Sequence, residues 1–352
     1  MSPLYVLSLS GTAFERGLTY GKAAREKILK AIAFYSHLFE GMAGISWDKA
    51  KKISSSFLPV ITDYDSEALE EMKGIAQGSD LDFEDILTLN CRSEVLFAQP
   101  DGCSCIGLLP EQSADGHTYL GQNWDWLRPS GDHTLLVKIQ QNNKPNILMV
   151  AEAGMIGGKG LNSSGIGVCL NCMSVGKGQI GVPLHFMYRA ILNETSITNS
   201  LDRIARAKRA GSGTFNIGSA EGFLMSVEYT PDNFDVLMPE EIPLCHTNHY
   251  QSPIFKAQDT FKAELTDTFI RLNRMRRLCR LRKGKFNKEF LMTVLCDHAN
   301  RPDSICSHED PADAPSKRLC TVYTMMMDLN ERSLWITTGN PCTGIETKYV
   351  LD

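Results

Sequence analysis

The bond between Gly102 and Cys103 is the place in the sequence where residue types first suggest chemistry. It follows the turn tripeptide Pro100-Asp101-Gly102 and precedes an apolar segment. A cysteine thiol can attack the carbonyl carbon of the preceding residue to give a thioester, which water then cleaves. A preceding glycine eases the strained geometry of that attack because it has no Cβ. The plain structural alternative is a small cysteine buried in a strand.

Cleavage at this bond would make Cys103 a new N-terminus. An α-amino group titrates near about 8, so it can act at neutral pH as general base for the thiol of the same residue. Nucleophile and base would then belong to one residue, as in the N-terminal variant of covalent catalysis. The sequence therefore predicts self-cleavage between Gly102 and Cys103, followed by thiol catalysis.

Three other polar residues could complete such a site. Asp125 in "GQNWDW" could hold the new α-ammonium group, and Asn248 in "CHTNHY" could donate to an oxyanion. Arg318 in "SKRLCTV" could bind a substrate carboxylate with both guanidinium nitrogens. Taken singly, they could equally be a strand-end carboxylate, a turn asparagine and a surface arginine. Their occurrence together with Cys103 favours a catalytic site.

Other chemistries have weaker signals. The "CLNC" segment (169–172) is a lone C-x-x-C without a second pair for zinc or a thioredoxin-like context. His246 or His249 could be the base of a classical Cys–His protease. The two histidines do not form the H-E-x-x-H pattern of a metal hydrolase. The basic run at 271–285 is most simply a solvated helix face.

The order of predicted elements indicates an α+β layered fold. Residues 12–95 have apolar residues at helical spacing, and strand-like segments follow up to about residue 173. Two helix candidates cover 183–210, two strands follow, and a second helical region spans 257–297. The last strands complete the chain. Such an order suits stacked sheets covered by helices, in a single domain of 352 residues.

Composition excludes several classes of protein. A hydrophobic fraction of 43% and a charged fraction of 22% are those of an ordinary globular protein. The net charge of −5 argues against a general nucleic-acid binder. Eleven cysteines without framework spacing favour a reduced, intracellular protein. We find no signal peptide, membrane span or peroxisomal C-terminal tripeptide, and we therefore expect a cytoplasmic protein without membrane or nucleic-acid partners.

Eight motifs in order make the sequence resemble the acyl-coenzyme A:isopenicillin N acyltransferase family, the cysteine branch of the N-terminal nucleophile (Ntn) hydrolases. Between about residue 10 and residue 325 they are "GTAFERGLTYG", "EEMKGIAQG", "LNCRSE", "DGCS", "GQNWDW", "EAGMIGGKGLNSSGIGV", "HTNH" and "SIC". The resemblance implies a four-layer αββα sandwich of the Ntn-hydrolase type. It places the self-cleaving nucleophile on Cys103 after Gly102, the active-site aspartate on Asp125, the oxyanion asparagine on Asn248 and the active-site arginine on Arg318.

The resemblance also implies that a 1–352 precursor is cut into a small subunit, 1–102, and a large subunit, 103–352, which stay bound to each other. It implies no metal and no tightly held cofactor, with a coenzyme A thioester as a possible co-substrate. Two features depart from the penicillin-forming members. Lys317 stands where they carry a serine, and the peroxisomal tail is missing. Both argue against penicillin synthesis as the main task.

We therefore expect a self-processing acyltransferase or amidohydrolase with a zymogen form. It would form an acyl-Cys103 thioester from acyl-CoA or an amide. The acyl group would pass to an amine, such as a 6-aminopenicillanic-acid-like, amino-acid or peptide acceptor, or to water. Secondary metabolism, including antibiotic biosynthesis, is the expected setting. The alternatives are an amidase of N-acyl amino compounds that only hydrolyses, and a non-catalytic binding protein with the same fold.

Overall fold

The computed structural model describes residues 3–96, 102–239 and 241–351. Pro100 and Asp101 of the predicted cleavage motif lie outside these residues. Five of the described helices begin at a Thr, Ser, Asp or Asn side chain that accepts a backbone N–H, as stable N-termini require. The α-helices are α1 (Ala13–Leu38), α2 (Trp47–Ser55), α3 (Leu58–Tyr64), α4 (Ser66–Ser79), α5 (Phe83–Asn90), α6 (Arg92–Leu96), α7 (Leu184–Leu192), α8 (Ile197–Ala205), α9 (Asp267–Leu281) and α10 (Lys288–Leu295).

The strands form two sheets. They are β1 (Tyr5–Leu9), β2 (Gly102–Leu108), β3 (Tyr119–Leu127), β4 (Thr134–Ile139), β5 (Ile147–Glu152), β6 (Lys159–Asn162), β7 (Ile166–Cys172), β8 (Gly213–Ser219), β9 (Phe223–Tyr229), β10 (Phe234–Leu237), β11 (Leu244–His246), β12 (Leu319–Asp328), β13 (Ser333–Thr338) and β14 (Glu346–Val350). The eight-stranded sheet has the order β1-β4-β5-β6-β7-β8-β9-β10, and the six-stranded sheet has the order β11-β2-β3-β12-β13-β14.

The two sheets lie face to face, with β2 and β3 against β7. A buried amide joins them: Gln122 Nε2 donates to the Leu170 carbonyl, and Gln122 Oε1 accepts from the Leu170 N–H, each at 2.9 Å. Helices α1 and α7 cover the outer face of the larger sheet, and α9 and α10 cover the outer face of the smaller one. The expected αββα sandwich is thereby confirmed, and the main core lies between the sheets and under α1.

Helices α1 and α4 pack with their backbones almost in contact. Gly17 and Gly21 on α1 face Gly74 and Gly78 on α4, and a Cβ on any of the four would overlap a backbone atom of the opposite helix. The "GTAFERGLTYG" and "EEMKGIAQG" motifs therefore build this crossing. All helices predicted within 12–95 are present, and β1 precedes them.

Candidate active site

Cys103 lies in the middle layer of the sandwich, on the inner part of the smaller sheet. Strand β2 runs between β11 and β3, and its register pairs Cys103 with Trp124 and Gly102 with Asp125. The side chain of Cys103 is fully buried. Gly102 and Cys103 are the first two residues of β2.

Asp125 lies directly over the predicted cleavage bond. A Cβ on Gly102 would be only 2.9 Å from Asp125 Cβ, so a glycine is required for this approach. The carboxylate is buried, and Thr321 Oγ1 donates to its Oδ1 at 2.6 Å. The structure thus brings Asp125 to Gly102 and holds it there from β12.

Asn248 holds the backbone nitrogen of Cys103. Its Oδ1 accepts from the Cys103 N–H at 2.8 Å, while its Nδ2 donates to the Cys172 carbonyl at 3.1 Å. The backbone N–H of Asn248 donates to Thr268 Oγ1 at 2.8 Å. The side-chain oxygen of Asn248 therefore faces Cys103. The predicted oxyanion role would use the NH2 group instead.

Arg271 is a site residue that sequence reasoning missed. Its Nη1 donates to the Cys103 carbonyl at 2.8 Å and to Ser104 Oγ at 3.1 Å, and its Nη2 donates to Asn248 Oδ1 at 3.1 Å. Its Nε donates to Asp267 Oδ2 at 2.6 Å, one helical turn earlier. The prediction that the basic run is a solvated helix face is therefore wrong at Arg271, which is only 2% exposed.

A signal for Arg271 was present in the helix pattern. The buried positions of α9 are Thr268, Arg271, Leu272, Met275 and Cys279, which follow helical spacing. An arginine on that apolar face, with an acidic residue four positions before it, is unusual for a solvated run. Burial acts to lower the pKa of Arg271, but the nearby carboxylates, Asp267 first, outweigh it and raise that pKa above its usual value. Arg271 therefore brings a permanent positive charge to Cys103.

Asn171 reaches Cys103 from the facing sheet. Its Nδ2 donates to the Cys103 carbonyl at 3.2 Å, and its Oδ1 accepts from Asn216 Nδ2 at 2.7 Å. The carbonyl of Cys103 thus receives donors from both Arg271 and Asn171. Asn171 belongs to the "CLNC" segment, so the contribution of this segment to the site is the asparagine between its two cysteines.

Arg318 does not join this network in the structure. It precedes β12, and its guanidinium donates to backbone carbonyls of its own loop, Asp313 at 2.8 Å and Pro311 at 2.9 Å. Lys317 beside it is exposed. The role of Arg318 as a carboxylate-binding residue stays a prediction, and the arginine found at Cys103 is Arg271.

The two histidines of "CHTNHY" are held by other groups. His246 Nε2 contacts Glu228 Oε1 at 2.8 Å, and His249 Nδ1 contacts Thr268 Oγ1 at 2.9 Å. Burial lowers the pKa of His249 to about 3, with further lowering by nearby positive charges. His249 is therefore neutral, and His246 is paired with Glu228. Both contacts hold the segment that contains Asn248, and neither arrangement favours a classical Cys–His protease.

A cavity of about 440 Å³ lies near the candidate site, although Cys103 itself is not among the residues that line it. Its walls include Trp124, the register partner of Cys103, together with Leu170, Tyr188 and Tyr323. Lys159 reaches into this aromatic region, with its Nζ 4.7 Å from the Trp124 ring centre and 5.5 Å from that of Tyr323. Lys177 and Arg92 also line the cavity. The cavity therefore offers an apolar, aromatic surface for an acyl chain and positive charge, with Lys159 over the aromatic rings, for an anionic part of a ligand.

Among the residues that the structure describes, one group of side chains could bind a metal, and it lies on loops rather than at Cys103: His298, Cys306, His308 and Cys342. Ser307 connects that region to the active site, because its N–H donates to Thr321 Oγ1 at 3.0 Å.

Comparison with known proteins identifies the family. The model of the acyl-coenzyme A:6-aminopenicillanic acid acyl-transferase family matches residues 112–343, more than half of the chain. Acyl-coenzyme A:6-aminopenicillanic-acid-acyltransferase 40 kDa form from Emericella nidulans is 27% identical over 350 residues, which cover 97% of this chain and 94% of the relative. Protein dcd1A from Dictyostelium discoideum is 24% identical over 265 residues, 64% of this chain and 58% of that protein.

Among solved structures, a mutant of conjugated bile acid hydrolase from Clostridium perfringens is similar in fold. It superposes with a TM-score of 0.50 and 13% identity, over 71% of this chain and 97% of the hydrolase. This likeness agrees with the αββα architecture described above. The motifs, the family match and the nearly full-length similarity to the Emericella protein all lead to the same conclusion: the chain belongs to the acyl-coenzyme A:6-aminopenicillanic acid acyl-transferase family.

Proposed function

We propose that the chain is a precursor that cuts itself between Gly102 and Cys103 and then acts as a thiol acyltransferase or amidohydrolase. The observation that carries this proposal is the set of contacts around one buried peptide bond. Asp125 lies over Gly102, Asn248 accepts from the Cys103 N–H, and Arg271 donates to the Cys103 carbonyl. These contacts bring a charged arginine and a carboxylate to a site that an ordinary core strand would fill with apolar groups.

Self-processing would begin with attack of the Cys103 thiol on the Gly102 carbonyl carbon. The S–C bond forms, the C–N bond breaks, and the thiol proton passes to the departing nitrogen. Water then hydrolyses the thioester, which leaves a Gly102 carboxylate, a free thiol and an α-amino group on Cys103. Asn248 Oδ1 already accepts from this nitrogen at 2.8 Å, so the new amine would keep its hydrogen bond.

In turnover, the α-amine takes the thiol proton, and the thiolate attacks the carbonyl carbon of the acyl donor. The leaving thiol or amine departs with that proton, and an acyl-Cys103 thioester remains. An acceptor amine or water then releases the acyl group. Asp125 and Asn248 would hold the α-ammonium group, while Arg271 and Asn171 fix the Cys103 backbone by its carbonyl.

The two products of cleavage would stay together because they share a sheet and a core. Strand β1 of the 1–102 piece pairs in parallel with β4 of the 103–352 piece. The buried Tyr20 hydroxyl accepts from the Gly154 N–H at 3.0 Å, and the Tyr35 hydroxyl donates to Glu152 Oε1 at 2.6 Å. Residues 1–102 therefore form a subunit of the mature enzyme in this proposal.

The substrate proposal combines the cavity with the family. The Emericella relative is named for acyl-coenzyme A and 6-aminopenicillanic acid. The aromatic cavity suits an acyl chain, and Lys159 suits a carboxylate such as that of an amino acid, a peptide or a β-lactam nucleus. We propose transfer from an acyl-CoA or an amide to such an amine in secondary metabolism. Hydrolysis alone, as in an N-acyl amidase, is the outcome when water replaces the acceptor.

Intact-protein mass spectrometry tests the proposal. Wild type should yield two species, 1–102 and 103–352, whereas Cys103→Ala should remain one chain. Cys105→Ala is the matched control, since Cys105 is also fully buried on the same face of β2. It should process like wild type. An active wild-type enzyme that consists only of full-length chain would disprove self-processing.

A second measurement separates transfer from hydrolysis and from pure binding. The processed protein is incubated with octanoyl-CoA, with and without 6-aminopenicillanic acid. We expect an octanoyl group on the 103–352 species and acylated acceptor among the products. Release of free octanoate alone would favour hydrolysis over transfer, and the same measurement with an N-octanoyl amino acid tests the amidase alternative. A processed protein that binds octanoyl-CoA but is acylated neither by it nor by an N-octanoyl amino acid would favour the non-catalytic alternative.

A further inference from the structure

We propose that His298, Cys306, His308 and Cys342 form a structural zinc site. His298, Cys306 and His308 lie in the one loop that follows α10, and Cys342 lies in the turn after β13. The four possible ligand atoms, two imidazole nitrogens and two sulfurs, all lie within 4.8 Å of one another. This departs from the expectation that the protein holds no metal.

The distances within the group are those of a tetrahedron around zinc. Zn–S bonds of about 2.3 Å and Zn–N bonds of about 2.0–2.1 Å imply edges of about 3.8 Å between sulfurs, 3.3 Å between nitrogens and 3.5 Å between sulfur and nitrogen. The Sγ atoms of Cys306 and Cys342 are 3.7 Å apart, and the Nε2 atoms of His298 and His308 are 3.1 Å apart. His308 Nε2 is 3.5 Å from Cys306 Sγ and 3.7 Å from Cys342 Sγ.

The ligand types select zinc over other cations. Two thiolates and two imidazoles form the Cys2His2 set of closed structural zinc sites, whereas magnesium and calcium prefer oxygen ligands. A hydrogen bond between the two histidine rings would explain one contact, but it would not explain two sulfurs beside the same nitrogen. A disulfide between Cys306 and Cys342 would need a sulfur separation of about 2.05 Å and would leave both histidines without a role.

At this location the metal would hold separate loop segments together. It would join two parts of the loop after α10, at His298 and at Cys306–His308, to the turn at Cys342, more than thirty residues further along the chain. Ser307, between two of the ligands, accepts from the Thr321 N–H through its carbonyl and donates to Thr321 Oγ1, each at 3.0 Å. Thr321 Oγ1 in turn donates to Asp125. The zinc would thus fix the support of Asp125 without touching the reacting atoms.

Metal analysis of the full chain tests the site. Protein prepared in excess zinc and then dialysed should retain one zinc per chain, with a Kd below about 10 nM in competition with a chromophoric chelator. Cobalt(II) in place of zinc should give the intense near-ultraviolet absorption of a Co–thiolate bond and the visible bands of a tetrahedral site. Both measurements use the wild-type protein, so they do not depend on whether a variant folds.

Variants then locate the site. Cys342→Ser and His298→Gln change exposed ligands, and each should weaken zinc binding at least a hundredfold. Cys296→Ser is the matched control, because Cys296 is a neighbouring half-buried thiol outside the group, and it should bind zinc like wild type. Wild-type protein that fails to retain zinc, or control and ligand variants that bind it equally, would overturn the proposal. So would an intact mass showing a Cys306–Cys342 disulfide in fresh protein prepared under reducing conditions.

Discussion

At the scale of single residues, the candidate site consists of the groups that contact Gly102 and the backbone of Cys103. The amide nitrogen of Cys103 donates to Asn248, its carbonyl accepts from Arg271 and Asn171, and the residue before it touches Asp125. A buried arginine next to a peptide carbonyl is costly unless its donors are used, and Arg271 uses Nε, Nη1 and Nη2. The same contacts that hold the strand would hold the new N-terminus after cleavage.

Lys159 and Arg318 are the two residues that we consider for binding the carboxylate of the acceptor. Lys159 lies in the cavity, whereas Arg318 lies against its own loop. We expect Lys159→Met in the processed enzyme to lower kcat/KM for a carboxylated acceptor about ten- to a hundredfold, since a charge-assisted hydrogen bond contributes about 1.5–3 kcal/mol. The methyl ester of that acceptor should be used equally well by variant and wild type. Methionine keeps the side-chain length over Trp124.

Arg318→Met is the counterpart experiment, measured on the same acid and ester. If this variant alone loses the preference for the acid, the sequence-based assignment of Arg318 is right and the assignment of Lys159 is wrong.

At the scale of elements, close helix packing and helix amphipathicity position the chemistry. Helix α9 presents Arg271 on its buried face, one turn after Asp267, and so brings it under β2. On the opposite side of the molecule, the glycines of α1 and α4 let the two backbones meet and anchor the 1–102 segment on the larger sheet. The glycine motifs of the N-terminal region therefore serve helix packing rather than the candidate active site.

Gly74→Ala should reveal the strength of this packing. The new Cβ would overlap the carbonyl oxygen of Phe14, so α1 and α4 must move apart. Overpacking of this kind costs about 1–3 kcal/mol, and we expect the free energy of unfolding in urea to fall by that amount. Gly41→Ala is the control, because a Cβ at the exposed Gly41 would meet no atom within 4 Å. Equal urea midpoints for both variants and wild type would contradict this account of the crossing.

At the scale of the whole molecule, the cavity between the layers is where buried charge accumulates. Glu152 accepts from Tyr35 and pairs with Arg92 and His133. Burial acts to raise the pKa of Glu152, but Arg92 and His133 outweigh it and hold that pKa at about 2. Glu94 has a different environment: burial raises its pKa to about 7, while its Oε1 accepts from the Leu184 N–H at 2.8 Å.

No helix within the described parts of the chain is long and apolar enough to cross a membrane.

Glu94 predicts a pH dependence of stability. Its pKa in the folded protein, about 7, lies above the usual 4.5, so its contribution is fully present below pH 4.5 and is lost as the pH rises through 7. Glu94→Gln, which keeps the acceptor for Leu184, should remove this fall, which is about 3 kcal/mol at most. Urea unfolding of both proteins between pH 4.5 and 8 measures the difference. Glu84→Gln on the exposed face of α5 should keep the wild-type profile, and parallel profiles for Glu94→Gln and wild type would disprove this role of burial.

The sequence by itself determined the layered α+β architecture, the family, and the choice of Gly102, Cys103, Asp125 and Asn248 as residues that the fold brings together. Each of these follows from local information: helical or strand periodicity, turn residues, and motifs in a fixed order. The roles in cleavage and catalysis assigned to these residues stay predictions that the experiments above test.

Tertiary structure alone decided which groups meet at Cys103 and in what orientation. Arg271 comes from a helix, Asn171 and Lys159 come from neighbouring strands of the larger sheet, and all three are far from Cys103 in the chain. The four proposed zinc ligands come from two separate loops. Their spacings follow no local period, because they are set by how the two sheets and their helices stack. For the same reason, the structure rather than the sequence turned the Asn248 oxygen toward Cys103 and the Arg318 guanidinium toward its own loop.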